Sequence, residues 1–81
     1  MRIYGTGPGE PDVEAPGHRY AALIGGPLDG QRLDVTGLSA QELLDGAALI
    51  TELGAYGPGG RAHYEGQPGA PDRLHWTGDT P

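Results

Sequence analysis

Short stretches of alternating apolar and polar residues are separated by glycine- and proline-rich turns along most of this chain. The clearest lies at 18–35, where the run HRYAALI is followed by GGPLDG and then by QRLDV. Side chains alternate between the two faces of a strand, so Leu33 and Val35 share one face and Arg32 and Asp34 the other. The stretch predicts two half-buried antiparallel strands joined by a hairpin turn.

The turn of this hairpin has the residues that chain reversal favours. Glycine adopts positive φ, proline holds φ at about −65°, and aspartate bonds its own backbone two residues on. The predicted turn residues are Gly25, Gly26, Pro27, Asp29 and Gly30. A phosphate-binding loop is the alternative, but such a loop leads into a helix and usually carries a lysine. Here a second strand follows, and the chain has no lysine.

A helix start is predicted after this hairpin. Ser39 suits the N-cap, and Glu42 lies three residues on, where it completes a capping box. Leu38 and Leu43 occupy the positions of a hydrophobic staple, so the pattern predicts a short helix over 40–45. The next stretch, AALITEL at 47–53, prolongs this helix or forms a strand, and its Ile-Thr pair favours the strand.

Two more alternating runs, RAHYE at 61–65 and RLHWT at 73–77, predict a second hairpin around the loop 66–72. Pairing Glu65 with Arg73 separates an apolar face from a polar one, whereas a one-residue slip would mix them. The other pairs in this register are Tyr64 with Leu74, Ala62 with Trp76, Arg61 with Thr77, and His63 with His75. This register favours a core position for Trp76, and an exposed position in a protein contact is the alternative.

These elements predict a mainly β, small α+β domain at 18–81, with an antiparallel sheet of about four strands built from two hairpins and one short helix. The sheet edges are expected to stay exposed, which favours self-association or strand addition by a partner. Residues 1–17 are rich in glycine, proline and acidic side chains, and this composition predicts a flexible acidic arm. A loose terminus is the simpler interpretation of this arm, and ordering against a partner is the alternative.

Length and charge limit the classes of function. A chain of 81 residues buries only about 60% of its unfolded surface, so a partner or an oligomer is expected to add stability. Five arginines against 11 acidic residues give a net charge of −6, which argues against binding nucleic acid or anionic membranes. No run reaches transmembrane length, so the expected location is cytoplasmic, or virion-associated if a phage encodes the protein.

No catalytic pattern stands out, and we predict a protein that is not an enzyme. His63 and His75 face each other in the predicted register, but two imidazoles alone make a weak metal site. Ser39 and Glu42 have cap roles that explain them, and we predict no metal and no cofactor. The residues that favour a protein contact are Tyr56, Arg61, His63 and His75, because interfaces are rich in aromatic and arginine side chains. Tyr56 is equally consistent with the core and with a contact surface.

Three segments resemble one group of proteins: YAALIGGPLDGQ at 20–31, YGPGGRAHY at 56–64 and LHWTGD at 74–79. The chain is similar to small uncharacterised GGPxDG-containing proteins of actinobacteria, especially Streptomyces, and of their phages. The resemblance spans about residues 18–80 and implies origin more than activity. It transfers no catalytic residue.

The predicted function is a non-enzymatic interaction or structural component, such as a phage-derived minor virion or head-decorating protein. One alternative is a small acidic anti-defence or regulatory protein that blocks a host factor. Another is a small-ligand or nucleotide binder that uses the two glycine-rich loops.

Overall fold

The computed structural model describes residues 2–6, 9 and 12–81, which form a five-stranded mixed sheet and one short helix. The elements are β1 (Tyr20–Ile24), β2 (Arg32–Asp34), α1 (Ala40–Asp45), β3 (Ala47–Ile50), β4 (Arg61–Gln67) and β5 (Ala70–Thr80). Their order across the sheet is β2-β1-β5-β4-β3, and the sheet curls into a half-barrel. The prediction of a mainly β protein with one short helix is confirmed.

The prediction of about four strands in a purely antiparallel sheet is wrong. Both predicted hairpins are present, and β3 adds to β4 in antiparallel fashion. The two halves join where β1 and β5 run parallel, with Leu23 beside Leu74. Local alternation marks which residues are strands, but packing between distant segments decides which strands become neighbours.

The turn of the second hairpin is tighter than predicted. β4 and β5 extend through most of the predicted loop 66–72 and reverse at Pro68 and Gly69, with Gln67 opposite Ala70. Gly69 adopts a φ of 79°, which a tight turn requires.

The register of this hairpin also differs from the predicted one. Glu65 lies opposite His75 instead of Arg73, and His63 lies opposite Gly78. The predicted pairing of His63 with His75 is therefore wrong. Two irregularities in the ladder set this register. One leaves Pro71, Asp72 and Arg73 without an opposite residue on β4, and the other leaves Thr77 without one.

One face of the sheet carries the core, and α1 packs on it against β4 and β5. Within the described part of the chain, no helix has the length and apolar character needed to cross a membrane. The buried apolar residues are Ala21, Leu23, Leu28, Val35, Leu43, Leu49, Ala62, Tyr64 and Leu74.

The helix begins at its capping box. The Ser39 hydroxyl accepts a hydrogen bond from the Glu42 amide at 3.1 Å, and the Glu42 carboxylate accepts one from the Ser39 amide at 3.0 Å. Gly46 ends the helix with a φ of 92°, and its amide donates to the Glu42 carbonyl. β3 starts at the next residue, so the strand interpretation holds over Ala47–Ile50.

The outer edge of β2 is covered, contrary to the expectation that the sheet edges stay exposed. Ile3 forms a parallel bridge with Arg32, and the Tyr4 amide donates to the Arg32 carbonyl at 2.8 Å. The Tyr4 hydroxyl donates to the Ile50 carbonyl of β3 at 2.8 Å. Tyr4 therefore joins the two edges of the half-barrel.

The described part of the predicted arm also contacts the domain. Glu14 forms an ion pair with Arg32, and the Ala15 amide donates to the Tyr20 hydroxyl at 2.8 Å. The flexibility of the arm stays a prediction, and its residues 1, 7–8 and 10–11 lie outside the described residues.

Candidate interaction surface

Trp76 is the largest side chain of the protein, and the structure keeps it out of the core. It lies opposite Tyr64, yet its relative exposure is 42% whereas that of Tyr64 is 0%. The prediction that Trp76 belongs to the core is therefore wrong. The ladder is irregular between His63 and Tyr64, next to this pair, and such irregularities re-aim side chains at the end of a sheet.

The glycine-rich turn between β1 and β2 supports the indole from one side. Gly26 has a φ of 65°, and a Cβ atom at this position would lie 2.3 Å from Cγ of Trp76. Glycine is needed here both for its backbone conformation and for the close approach of the ring. The turn thus covers one face of the indole.

A carboxylate holds the edge of the same ring. The Trp76 Nε1 group donates to Oδ1 of Asp79 at 2.8 Å, and the Ala55 amide donates to Oδ2 at 2.9 Å. Asp79 thereby links the indole to the loop 54–60, in which Tyr56 has an exposure of 54%. We call Gly26, Tyr56, Trp76 and Asp79 the Trp76 surface.

Tyr64 fixes this surface from beneath. Its hydroxyl donates to the Gly25 carbonyl at 2.6 Å and accepts from the Leu28 amide at 3.0 Å. Burial raises the pKa of the Tyr64 phenol, and the negative charges of Asp29 and Asp79 raise it further. The phenol is therefore kept neutral and able to donate.

The predicted turn residues lie together between β1 and β2, and a carboxylate engages one of their backbone amides. The Gly25 amide donates to Oδ1 of Asp29 at 2.6 Å. Asp29 thus places a negative charge inside the loop, where a bound phosphate would need positive partners. The turn acts as the support of Trp76.

The structure places three of the four predicted contact residues on the outer face of the sheet and the fourth elsewhere. Arg61 and His63 alternate with buried Ala62 and Tyr64, so they point to the outer face of the sheet, as His75 does beside buried Leu74. His63 is hydrogen-bonded to the Thr80 hydroxyl at 2.8 Å, and Arg61 donates to the Pro81 carbonyl at 3.2 Å. Tyr56 instead belongs to the Trp76 surface.

Sequence reasoning missed Asp79 and favoured the core over the exposed position that Trp76 takes. The one local signal was Gly78 between them, since a glycine within a strand often marks a bulge. Its φ of 142° is compatible with such an irregularity.

The titratable groups elsewhere have structural partners. Nδ1 of His18 lies 2.6 Å from Oδ2 of Asp34. Hydrogen bonds from Thr36, followed by the one from His18, lower the pKa of Asp34 from 3.8 to about 2. Among the described residues, no group of three or more histidine, aspartate or glutamate side chains could hold a metal ion.

A groove of about 260 Å³ lies between α1 and the turn that joins β4 to β5. Its lining is almost wholly apolar and includes Leu43, Leu44, Pro68 and Pro71. Binding pockets orient a small ligand with a few well-placed polar groups. The Trp76 surface, which combines aromatic rings with carboxylates, has the richer chemistry.

Comparisons with family models, with curated proteins and with solved structures found no match for this chain. The function is therefore inferred from the residues of the chain itself.

Proposed function

We propose that this protein is a non-enzymatic protein-interaction component that docks through the Trp76 surface. The observation that carries the proposal is that Trp76 is exposed and yet held in place by Gly26 and Asp79. Tryptophan is the side chain most enriched among residues that dominate binding energy. A ring that is already fixed loses little conformational freedom on binding, so more of its contact energy reaches the affinity.

The side chains suited to acid–base chemistry support a non-enzymatic role. Ser39 and Glu42 are engaged in the capping box, His18 pairs with Asp34, and His63 is bonded to Thr80. Each of these contacts has a structural role, which is the simpler explanation of the residue.

The test is a binding experiment with matched variants. The full chain is immobilised, partners are captured from cells that express it naturally, and the affinity of each purified partner is measured. We expect Trp76→Ala to weaken binding at least tenfold, because loss of an anchor residue costs about 2 kcal/mol or more. Leu53→Ala is the control, since Leu53 is 63% exposed and lies outside both the Trp76 surface and β3. Equal effects of the two variants would contradict the proposal.

A structural role through self-association is the second candidate, and β3 favours it. This edge strand, AALI, carries no charge, and its Ala48 and Ile50 side chains are exposed. Uncharged edge strands pair readily with other strands. The resemblance to phage-encoded proteins extends this candidate to a virion component.

Light scattering over a concentration series tests the self-association. We expect an oligomer that persists on dilution and that Ala48→Lys converts to a monomer, because a charge on an edge strand opposes pairing. Gln41→Lys on α1 adds the same charge away from this edge and is expected to leave the oligomer intact. A wild-type monomer at every concentration would rule out this candidate.

A further inference from the structure

We propose that the Trp76 surface binds an arginine side chain of a basic partner protein, with the guanidinium on the exposed indole face between Asp29 and Asp79. This inference rests on the proposed function and adds to it the chemical class of the partner. It follows from the shape of the site, its charges and the charge of the whole protein.

The indole offers a flat surface of fixed orientation. Gly26 covers one of its faces and Asp79 holds its Nε1 edge, while 42% of the residue stays exposed. Tryptophan is the best aromatic partner for a cation placed over its ring. Arginine suits such a ring better than lysine, because its guanidinium is planar and more weakly hydrated.

One carboxylate bonds the indole, and a second bonds a turn residue that adjoins Trp76. Asp79 contacts the indole Nε1 directly at 2.8 Å. Asp29 is bonded at 2.6 Å to the amide of Gly25, and a Cβ atom on Gly25 would lie 3.6 Å from Cβ of Trp76. The ion pairs found among the described residues involve neither carboxylate. A cation from outside would therefore not have to displace any of these ion-pair partners.

The charge of the whole protein favours the same partner. A net charge of −6 attracts positively charged proteins over a distance and raises their rate of encounter. An acidic partner would be repelled both by this field and by Asp29 and Asp79. A basic protein that presents an arginine is thus the occupant that the charges fit.

Trp76 is the only tryptophan of the chain, so its fluorescence reports directly on the site. The full-length protein is titrated with a tri-arginine peptide, a tri-lysine peptide and a tri-citrulline peptide. We expect a saturable change with tri-arginine, binding about threefold or more weaker with tri-lysine, and no saturation with tri-citrulline, which has the same shape without the charge. Equal binding of arginine and citrulline, or of arginine and lysine, would overturn the proposal.

Charge variants separate a local site from general attraction. Asp29→Asn retains an oxygen that can accept from Gly25 and removes the charge, and we expect it to weaken tri-arginine binding about two- to fivefold. Asp72→Asn removes the same charge from β5 outside this site, and we expect a smaller effect. Circular dichroism checks that both variants fold. Equal weakening by the two variants would overturn the proposal in favour of attraction by net charge.

The natural partner separates this inference from the proposed function. If its binding requires Trp76 but is unchanged by Asp29→Asn, the docking function stands and the arginine site fails. If its binding is insensitive to Trp76, both fail.

Discussion

Tyr64 shows how one side chain connects the core to the surface. Its ring is fully buried, and its hydroxyl bonds both the Gly25 carbonyl and the Leu28 amide. In Tyr64→Phe these two backbone groups lose their partner, and an unsatisfied buried group costs about 1–3 kcal/mol. We expect a loss of that size in the free energy of unfolding, measured by urea denaturation.

Tyr20→Phe is the matched control for this prediction. The Tyr20 hydroxyl accepts from the Ala15 amide near the surface, where water replaces a lost bond, so we expect a loss below about 1 kcal/mol. If the two variants lost equal stability, the buried hydrogen bonds of Tyr64 would contribute no more than the surface bond of Tyr20.

The lowered pKa of Asp34 predicts how the free energy of unfolding depends on pH. Its pKa is lowered from 3.8 to about 2 by hydrogen bonds from Thr36 and then from His18. The unfolded chain therefore takes up a proton before the folded one does, and the stabilisation present above pH 3.8 disappears as the pH falls towards 2. We expect the stability difference between wild type and Asp34→Asn to shrink over this range in urea unfolding. Asp72→Asn should show a smaller dependence, and equal curves would contradict the prediction.

At the scale of elements, two glycines of the turn that supports Trp76 differ in the space around them. A Cβ atom on Gly26 would lie 2.3 Å from Trp76 Cγ, whereas one on Gly30 would meet nothing within 4 Å, although both residues have positive φ. Gly30→Ala should cost about 1–2 kcal/mol from its backbone alone. We expect Gly26→Ala to cost more and to shift the Trp76 emission maximum, which Gly30→Ala should leave unchanged. Similar emission from both variants would show that the turn does not support the ring.

The elements that sequence reasoning predicted well are those that local interactions determine. The capping box of Ser39 and Glu42 spans four residues, and the hairpin at 18–35 joins strands that adjoin in the chain. The register predicted for the second hairpin was wrong because apolar and polar side chains alternate along a strand with a period of two residues. Moving the partner of Glu65 from Arg73 to His75 leaves that alternation unchanged, so the pattern could not distinguish the two registers.

At the scale of the whole molecule, the site depends on contacts that are distant in sequence. Trp76 meets Gly26 across 50 positions only because β5 lies parallel to β1 in the sheet. Composition identified Trp76 and Tyr56 as the aromatic residues to consider, but it could not show that Asp79 links the indole to the Ala55 amide next to Tyr56. Local periodicity contains no information about a neighbour of this kind, so the exposure of Trp76 could not be predicted.

The closure of the half-barrel by Tyr4 is also a property of the whole molecule. The Tyr4 amide bonds β2 through Arg32, and its hydroxyl bonds β3 through Ile50, which is 46 residues away in the chain. Tyr4→Phe keeps the ring and the amide but removes the link to β3. We expect a loss of about 1 kcal/mol in unfolding free energy.

Hydrogen exchange tests whether this link acts on both edges. The Arg32 amide donates to the Arg2 carbonyl, so it reports on the contact of residues 2–4 with β2. If Tyr4 holds the segment across the opening, its loss increases local opening, and the Arg32 amide should exchange faster in Tyr4→Phe while the core amide of Leu23 changes little. Tyr56→Phe, at an exposed loop position, should leave both rates unchanged. Unaltered exchange of the Arg32 amide in Tyr4→Phe would contradict this prediction. It would mean that the backbone bridge to β2 holds residues 2–4 without help from the hydroxyl bond to β3.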